Sequence, residues 1–446
     1  MLIGGAQLDH PAAPLGDLLR LGLAARPEEV ALLSNRRSLT WRELEEASSR
    51  LAAGYLGLGL APGDRVASLM PNRVDLVVHY LACFKAELIA TPLNYRYTAT
   101  EIDHALSVSG ARVLLAHVER AADVEASGLA GGLELGTIAY RDSEPLPQGN
   151  AEPAAAEPGW AHDFHRLLEA DPLARAVEQP DPGEPAVIFF TSGSTGPAKG
   201  VTHTHESLRW MIASAVMALQ LTADDVLVPG SSMSHLGSFL YALTTLSVGG
   251  KVVVARSHDS HELLPLLREQ QPTVVTMLPA ALMALIRDQN LQPHDFDSLR
   301  VCRAASDKVS TELLTEFAAL AGFPIVEAYG MTEVGTATIN PPSGTIKPGS
   351  IGTPAGGFRI ELRGEDGEPI EGDAVGRIWI ETRSAMVGYW EAPEATAEVI
   401  VDGWLDSGDL ARADADGYLW FFGRKKQVIV HDGSNISPYE VEGALV

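Results

Sequence analysis

The chain has 446 residues, 46% hydrophobic and 20% charged, the balance of an ordinary globular protein with a large core. On a prior of ~150 residues per domain, it holds about three domain-sized units. A formal net charge of −25 at pH 7 excludes the basic footprint of a nucleic-acid partner. Cys83 and Cys302 are the two cysteines; both lie in apolar surroundings without metal-ligand spacing and read as buried free thiols. No basic region followed by an apolar one opens the chain, and the apolar-rich stretch 210–221 is too short for a bilayer. A cytoplasmic protein with no membrane span is expected.

In chain order, Thr40-x-x-Glu43 fits a capping box, followed by a helical pattern through about residue 58. Residues 64–70 read as a strand, 75–85 as a helix and 113–116 as a strand, an alternation that implies a parallel sheet covered by helices. Residues 141–184 contain seven prolines and read as a surface excursion. From 205 to 327 the alternation resumes. Helices are expected at 205–219, 260–270, 279–288 and 309–321, and strands at 251–255, 273–276, 299–303 and 324–327. After 340, Gly and Pro are dense and the strands are short (359–362, 376–381, 419–422). That texture suggests an all-β subdomain, a small barrel.

The most informative segment is 191–200, Thr-Ser-Gly-Ser-Thr-Gly-Pro-Ala-Lys-Gly, directly after the apolar run 186–190. Gly193 and Gly196 permit backbone conformations that a Cβ penalises. The hydroxyls of Thr191, Ser192, Ser194 and Thr195, with exposed N–H groups, can wrap an anion, and Lys199 adds a point charge. A flexible Gly/Ser connection accounts for the same composition. The P-loop pattern fails because Gly200 follows Lys199 where that motif needs Ser or Thr.

Four further clusters bear on the choice. Tyr329-Gly-Met-Thr-Glu333 follows a strand; an aromatic ring can stack on a base, Thr332 can bond an anionic oxygen, and Glu333 is a hard ligand suited to Mg²⁺. Asp402-Gly-Trp-Leu-Asp-Ser-Gly-Asp409 is a polar, Gly-rich turn cluster, and a carboxylate such as Asp409 can accept both ribose hydroxyls. Gly423-Arg-Lys-Lys-Gln427 ends a strand, and Ser234-His-Leu-Gly-Ser238 opens an apolar helix. Each alone has a structural explanation: a strand-end turn, an Asp-Gly hairpin, a solvated basic turn and a core histidine. Residues 414–417 read as such a hairpin turn.

Taken in order and spacing, these segments resemble the AMP-forming adenylating enzymes: acyl-CoA synthetases, firefly-type luciferases and peptide-synthetase adenylation domains. The resemblance runs from about residue 39 to the end. It implies an α/β fold in which two α/β/α sheet subdomains (about 1–340) and a small β-barrel subdomain (about 341–423) form a large N-terminal AMP-binding domain. Residues 424–446 would be a hinge and the start of a C-terminal domain. The resemblance also implies ATP and Mg²⁺ as cofactors and coenzyme A as co-substrate. A carboxylic acid would be activated to acyl-AMP with pyrophosphate release, then transferred to the thiol.

By the same resemblance, Thr191, Ser192, Gly193, Ser194, Thr195, Gly196 and Lys199 hold the triphosphate. Tyr329 packs on adenine, with Asp307 beside its amino group. Thr332 touches the α-phosphate and the substrate carboxylate, Glu333 binds Mg²⁺, and Asp409 and Arg424 hold the ribose. His235 stands at the carboxylate end of an acyl pocket lined by Leu236, Gly237, Ser306, Gly330 and Gly335. Lys426 matches the hinge position, with 433–442 starting the next domain.

The chain departs from the family pattern in places. Ala304-Ala-Ser-Asp-Lys308 stands where relatives carry Ser-Gly-Gly-Ala-Pro, and Gln427 replaces a common aspartate. The sequence stops at Val446, where the C-terminal domain has barely begun, so a truncated or processed form with weak turnover is expected. No aspartate stands near 234–239 to hold an amino group. With small Gly237, Ser238 and Gly335 as walls, a bulky apolar or aromatic acid is the expected substrate. A carrier protein is the alternative acceptor, and a non-catalytic nucleotide-binding module the alternative function.

Overall fold

The computed structural model describes residues 2–142, 159–173, 180–191, 197–304, 306–370, 372, 374–424, 429–431 and 434–436. Half of the proline-rich excursion, residues 192–196 and the hinge position Lys426 therefore lie outside the described residues, as do Gln427 and most of 433–442.

Two α/β sheets carry the architecture. The first has eight strands. Its centre is parallel: Arg65–Leu69 pairs with Ile89–Pro92 on one side and Val113–His117 on the other. All five residues of Val113–His117 are buried, as a strand covered on both faces requires. The second sheet has nine strands. Val226–Gly230, Val274–Met277, Val301–Ala304 and Val326–Met331 run parallel, and the sheet then turns antiparallel into Gly335–Ile339.

The expected capping box is present: Thr40 accepts from the Glu43 N–H, Glu43 reaches back to the Thr40 N–H, and the helix Trp41–Gly57 follows. A second box, Thr98 with Glu101, opens the helix Ala99–Ser109. Its T-x-x-E signal was equally available in the sequence. The strand Val226–Gly230 was also not anticipated.

Helices Val74–Lys85 and Leu236–Ser247 lie at the seam between the sheets. Val74 through Phe84 are all buried, and in the second helix Gly237 alone is not; helices apolar all round belong in a core. Phe239 sits 4.8 Å from Tyr80 and 5.0 Å from Phe189, centroid to centroid and edge-on, each pair adding roughly 0.5–1.5 kcal/mol to area burial. Asn72, 4% exposed, adds a polar tie. Its Nδ2 donates to Ser231 O at 2.9 Å and Ala255 O at 3.2 Å, and its Oδ1 accepts from the Met233 N–H at 2.7 Å. One side chain thus fixes the approach to His235 from the opposite sheet.

The β-rich region after 340 is present, but five of its strands join one from the N-terminus in an open six-stranded sheet. The order runs Leu2–Gly4, Phe358–Arg363, Gly376–Thr382, Trp404–Ala413, Ile400–Val401, with Leu419–Arg424 also on Trp404–Ala413. Among the described residues no ladder closes it, so the expected barrel is corrected to an open, twisted sheet. Asp409 belongs to the ten-residue strand Trp404–Ala413; the turn is confined to Asp402 and Gly403, both with positive φ. Gly408, at φ +72, made the strand read as a loop. Residues 414–417 do form a turn, with the Gly417 N–H donating to Asp414 O at 3.1 Å. Cys83 and Cys302 are buried free thiols, and burial pushes both well up.

Candidate active site

The site begins at a hairpin. Pro185–Thr191 and Lys199–Thr204 pair antiparallel, with Thr191 opposite Lys199, and residues 192–198 join them in sequence. Strand pairing brings the loop's first hydroxyl and its lysine together, and Lys199 is exposed. Ser192, Gly193, Ser194, Thr195 and Gly196 lie outside the described residues.

Beside it stands the hairpin of Val326–Met331 and Gly335–Ile339, with Thr332 and Glu333 at its tip. Two glycines are needed here. A Cβ on Gly330 would meet Gly335 O at 2.2 Å, and Gly335 itself has φ +84, a conformation that favours glycine. His203 fixes the tip: its Nε2 donates to Thr332 O at 2.7 Å. Burial lowers the His203 pKa to about 4, so the ring is neutral and its Nε2 carries the proton that the carbonyl requires.

Glu333 is 7% exposed, and burial raises its pKa. Two contacts hold it. The Met386 N–H donates to its backbone O at 2.7 Å, and the Tyr389 hydroxyl donates to Oε1 at 3.0 Å. The Tyr389 ring lies 4.8 Å from the Lys199 ammonium. Tyr389 therefore stands between the lysine and the glutamate. Sequence reasoning missed it, since nothing local marks a Tyr in Gly-Tyr-Trp as a site residue.

The third wall is the open sheet. Asp409 and Arg424 are cross-strand partners, with Arg424 Nε 3.3 Å from Asp409 Oδ1. The Tyr329 hydroxyl donates to Asp409 Oδ2 at 2.7 Å. Burial raises the Asp409 pKa, while the Tyr329 bond and Arg424 oppose the rise. The Tyr329 ring tilts 31° to Phe421, with centroids 6.0 Å apart.

These groups, with His235, Leu236, Gly237, Ser306, Asp307, Gly330 and Gly335, line one cavity of about 2220 Å³. Small-ligand pockets span ~300–1,000 Å³, so two substrates fit at once. The cavity lies beyond the carboxyl ends of the parallel strands, the usual ligand position in open α/β sheets. His235 faces it, and the surrounding protein lowers its pKa, which favours the neutral ring. Asp307 is exposed, its Oδ1 accepting from the Lys308 N–H at 2.8 Å. Ser306 has φ +73, uncommon without glycine.

Of the small residues expected as pocket walls, Gly237 has open space where a Cβ would stand. Ser238 does not line the cavity; its Oγ accepts from the Ser231 N–H at 3.0 Å and bonds Ser231 Oγ at 2.7 Å. Among the described residues no cluster of three His, Cys, Asp or Glu could hold a metal ion. Glu333 instead offers one buried carboxylate, which suits a hard cation that keeps its waters and binds through substrate phosphates. No helix among the described residues is long and apolar enough to cross a membrane.

The chain matches the family model described as AMP-binding enzyme over residues 20–390. A feruloyl-CoA synthase of an Amycolatopsis species is 33% identical over 422 residues, 94% of this chain and 80% of that protein. The fatty acid–[acyl-carrier-protein] ligase ScoC of Streptomyces coeruleorubidus is 30% identical, over 94% of this chain and 78% of that one. ATP-bound MatB from Rhodopseudomonas palustris superimposes with a TM-score of 0.85 at 25% identity, over 97% of this chain and 82% of that one.

Proposed function

The chain belongs to the AMP-binding enzyme family and is an AMP-forming acid ligase, and from that premise we propose that it activates a bulky aromatic or apolar carboxylic acid and passes the acyl group to coenzyme A. The observation that carries this reading is the single cavity, which presents a cationic and carboxylate end (Lys199, Glu333) and a polar Asp409–Arg424 wall. Its lining also includes the apolar Leu236, Leu240, Leu278, Ala281 and Met331.

The chemistry follows from these groups. A carboxylate is a poor acyl donor because its leaving group would be oxide. Attack of a carboxylate oxygen on the α-phosphorus of ATP forms a C–O–P bond, breaks the bond to the bridging oxygen and expels pyrophosphate. A thiolate then adds to the activated carbonyl and AMP departs with the electron pair. Such phosphoryl chemistry is governed by positioning and charge neutralisation. Lys199 supplies positive charge toward the phosphates. The Thr332 hydroxyl and neutral His235 stand where the two reacting groups would meet. Asp409, fixed by Tyr329 and Arg424, would accept ribose hydroxyls, and Tyr329 would flank the adenine. Glu333 would hold Mg²⁺, which when bound neutralises phosphate charge.

An aromatic acyl group is supported by the open space at Gly237 and by the feruloyl relative. The ScoC match favours one second reading, transfer to a carrier-protein phosphopantetheine. The test is calorimetric titration with ATP and Mg²⁺, followed by acid-dependent pyrophosphate exchange and competition between coenzyme A and a loaded carrier. Lys199→Ala is expected to weaken ATP binding more than acid binding. Equal loss for both, or no ATP binding by the wild type, overturns the assignment.

A further inference from the structure

Arg303 lies in the strand Val301–Ala304, between Thr276 and Val326 on the neighbouring strands. It is 9% exposed and lines the cavity. Its Nε has no hydrogen-bond partner, and among the described residues no carboxylate pairs with its guanidinium. Its one contact of note is the Tyr241 ring, 4.8 Å from its Cζ. Arg73, 4% exposed, shows the contrast: Asp142 holds it through two bonds of 2.6 Å. The fold compensates that buried arginine and leaves Arg303 open to the cavity. A buried guanidinium without an acceptor is costly, and an aromatic face recovers only part of the lost hydration.

Its depth follows from two independent elements. Tyr241 is six residues beyond His235 on the helix Leu236–Ser247, or ~9 Å at the helical rise of 1.5 Å per residue. Val326, the neighbour of Arg303, is three residues before Tyr329, or ~10 Å along the strand. Leu236, Leu240, Ala328 and Met331 line the cavity between. The Tyr241 hydroxyl is already bonded to Thr336 Oγ1 at 2.6 Å, so it does not compete with Arg303 for a ligand. A guanidinium presents a planar fork matched to a carboxylate.

We propose that Arg303 is a specificity-determining residue that reads an oxygen acceptor on the substrate at the end remote from the reacting carboxylate. The substrate class is then an elongated acid, apolar in its middle and carrying a terminal carboxylate, carbonyl or hydroxyl about one aromatic ring and a short linker away. This rests on the ligase reading above and adds what the acyl pocket recognises.

The test uses sulfamoyl-adenosine analogues of cinnamic acid bearing para-hydrogen, para-methyl, para-hydroxyl or para-carboxylate, titrated calorimetrically into the whole chain. These probes need no turnover. Wild type is expected to bind the para-carboxylate or para-hydroxyl analogue at least about ten-fold more tightly than para-methyl, the gain of one charge-assisted hydrogen bond. Whichever oxygenated analogue leads identifies the acceptor as anionic or neutral. Arg303→Met should bring that ratio to about one while para-methyl keeps its affinity, and Arg303→Lys should restore part of it. A wild type that binds para-methyl as tightly as both oxygenated analogues overturns the proposal, whether or not Arg303→Met folds. An unchanged ratio in a folded Arg303→Met does so too. Failure of all four analogues to bind refutes the ligase reading itself.

Discussion

Replacing Tyr389 by phenylalanine removes one oxygen atom and leaves the ring. The Lys199 ammonium, 4.8 Å from that ring, keeps its aromatic neighbour. What is lost is the hydroxyl's 3.0 Å bond to Glu333 Oε1. The sign follows from the part that the Tyr389 bond plays among the effects acting on Glu333. Burial raises its pKa and the Tyr389 bond lowers it, so deleting the donor moves the pKa further up. A hydrogen bond to a charged partner contributes ~1.5–3 kcal/mol, and one pKa unit corresponds to ~1.36 kcal/mol. The shift on losing a bond of that size is therefore upward. If Glu333 binds Mg²⁺ as carboxylate, Mg²⁺-dependent ATP affinity should fail at a higher pH in Tyr389→Phe than in wild type as the solution is acidified. Calorimetric titration of ATP in excess Mg²⁺ across the acidic and neutral range measures the midpoint directly. Glu333→Gln, alone or combined with Tyr389→Phe, should abolish the same titration. Coincident midpoints for wild type and Tyr389→Phe would refute the argument, as would a downward shift.

Two predictions concern stability. Glu327 is 6% exposed, and burial raises its pKa to about 7 against one opposing bond from the Gly349 N–H at 2.6 Å. The native state binds the proton more tightly than the unfolded chain, so this group's stabilisation is complete below the unfolded pKa of ~4.3 and is lost as pH rises through about 7. Glu327→Gln, neutral throughout, should gain on wild type as pH rises, by on the order of 3 kcal/mol in urea unfolding; a pH-independent difference would count against it. Asn72→Ala strands two carbonyls and one N–H at the seam between the sheets. At ~1–3 kcal/mol for each buried orphan, it should cost about 3 kcal/mol or more, and a loss under ~1 kcal/mol would show that the tie is dispensable.

What the sequence disclosed is what local physics determines. Thr40 and Glu43 reveal a helix start because both partners lie within four residues of each other. Lys199 is conspicuous because a strand, two glycines and several hydroxyls precede it. Asp409 lies in a strand where the sequence reads a turn. Gly408 and the register shift at Leu410 and Ala411 are the marks of a bulge inside a strand, yet in one dimension they look like a turn. Asn72, Tyr389 and Arg303 left no local trace. Each acts through a partner brought near by folding: Asn72 on Met233, Tyr389 on Glu333, Arg303 beside Tyr241. Their roles belong to the tertiary structure.

The segment 386–390 shows how such roles cooperate. The Val387 N–H donates to Thr202 O at 2.9 Å and the Trp390 N–H to Gly200 O at 2.7 Å, so the segment is stitched to the strand that begins at Lys199. Met386 and Tyr389 meanwhile hold the backbone and the carboxylate of Glu333. One short stretch, an edge of the first sheet that also grips the second, therefore sets the distance between the lysine and the glutamate, which lie more than a hundred residues apart in sequence. If Lys199 and Glu333 take the two ends of a phosphate chain as proposed, that distance should be fixed before the ligand arrives, because ordering it afterwards would consume binding energy. On the proposed reading, the segment would be a positioning element for the end of the cavity that takes the phosphates. Its removal would loosen Lys199 and Glu333 together, even though neither residue is altered.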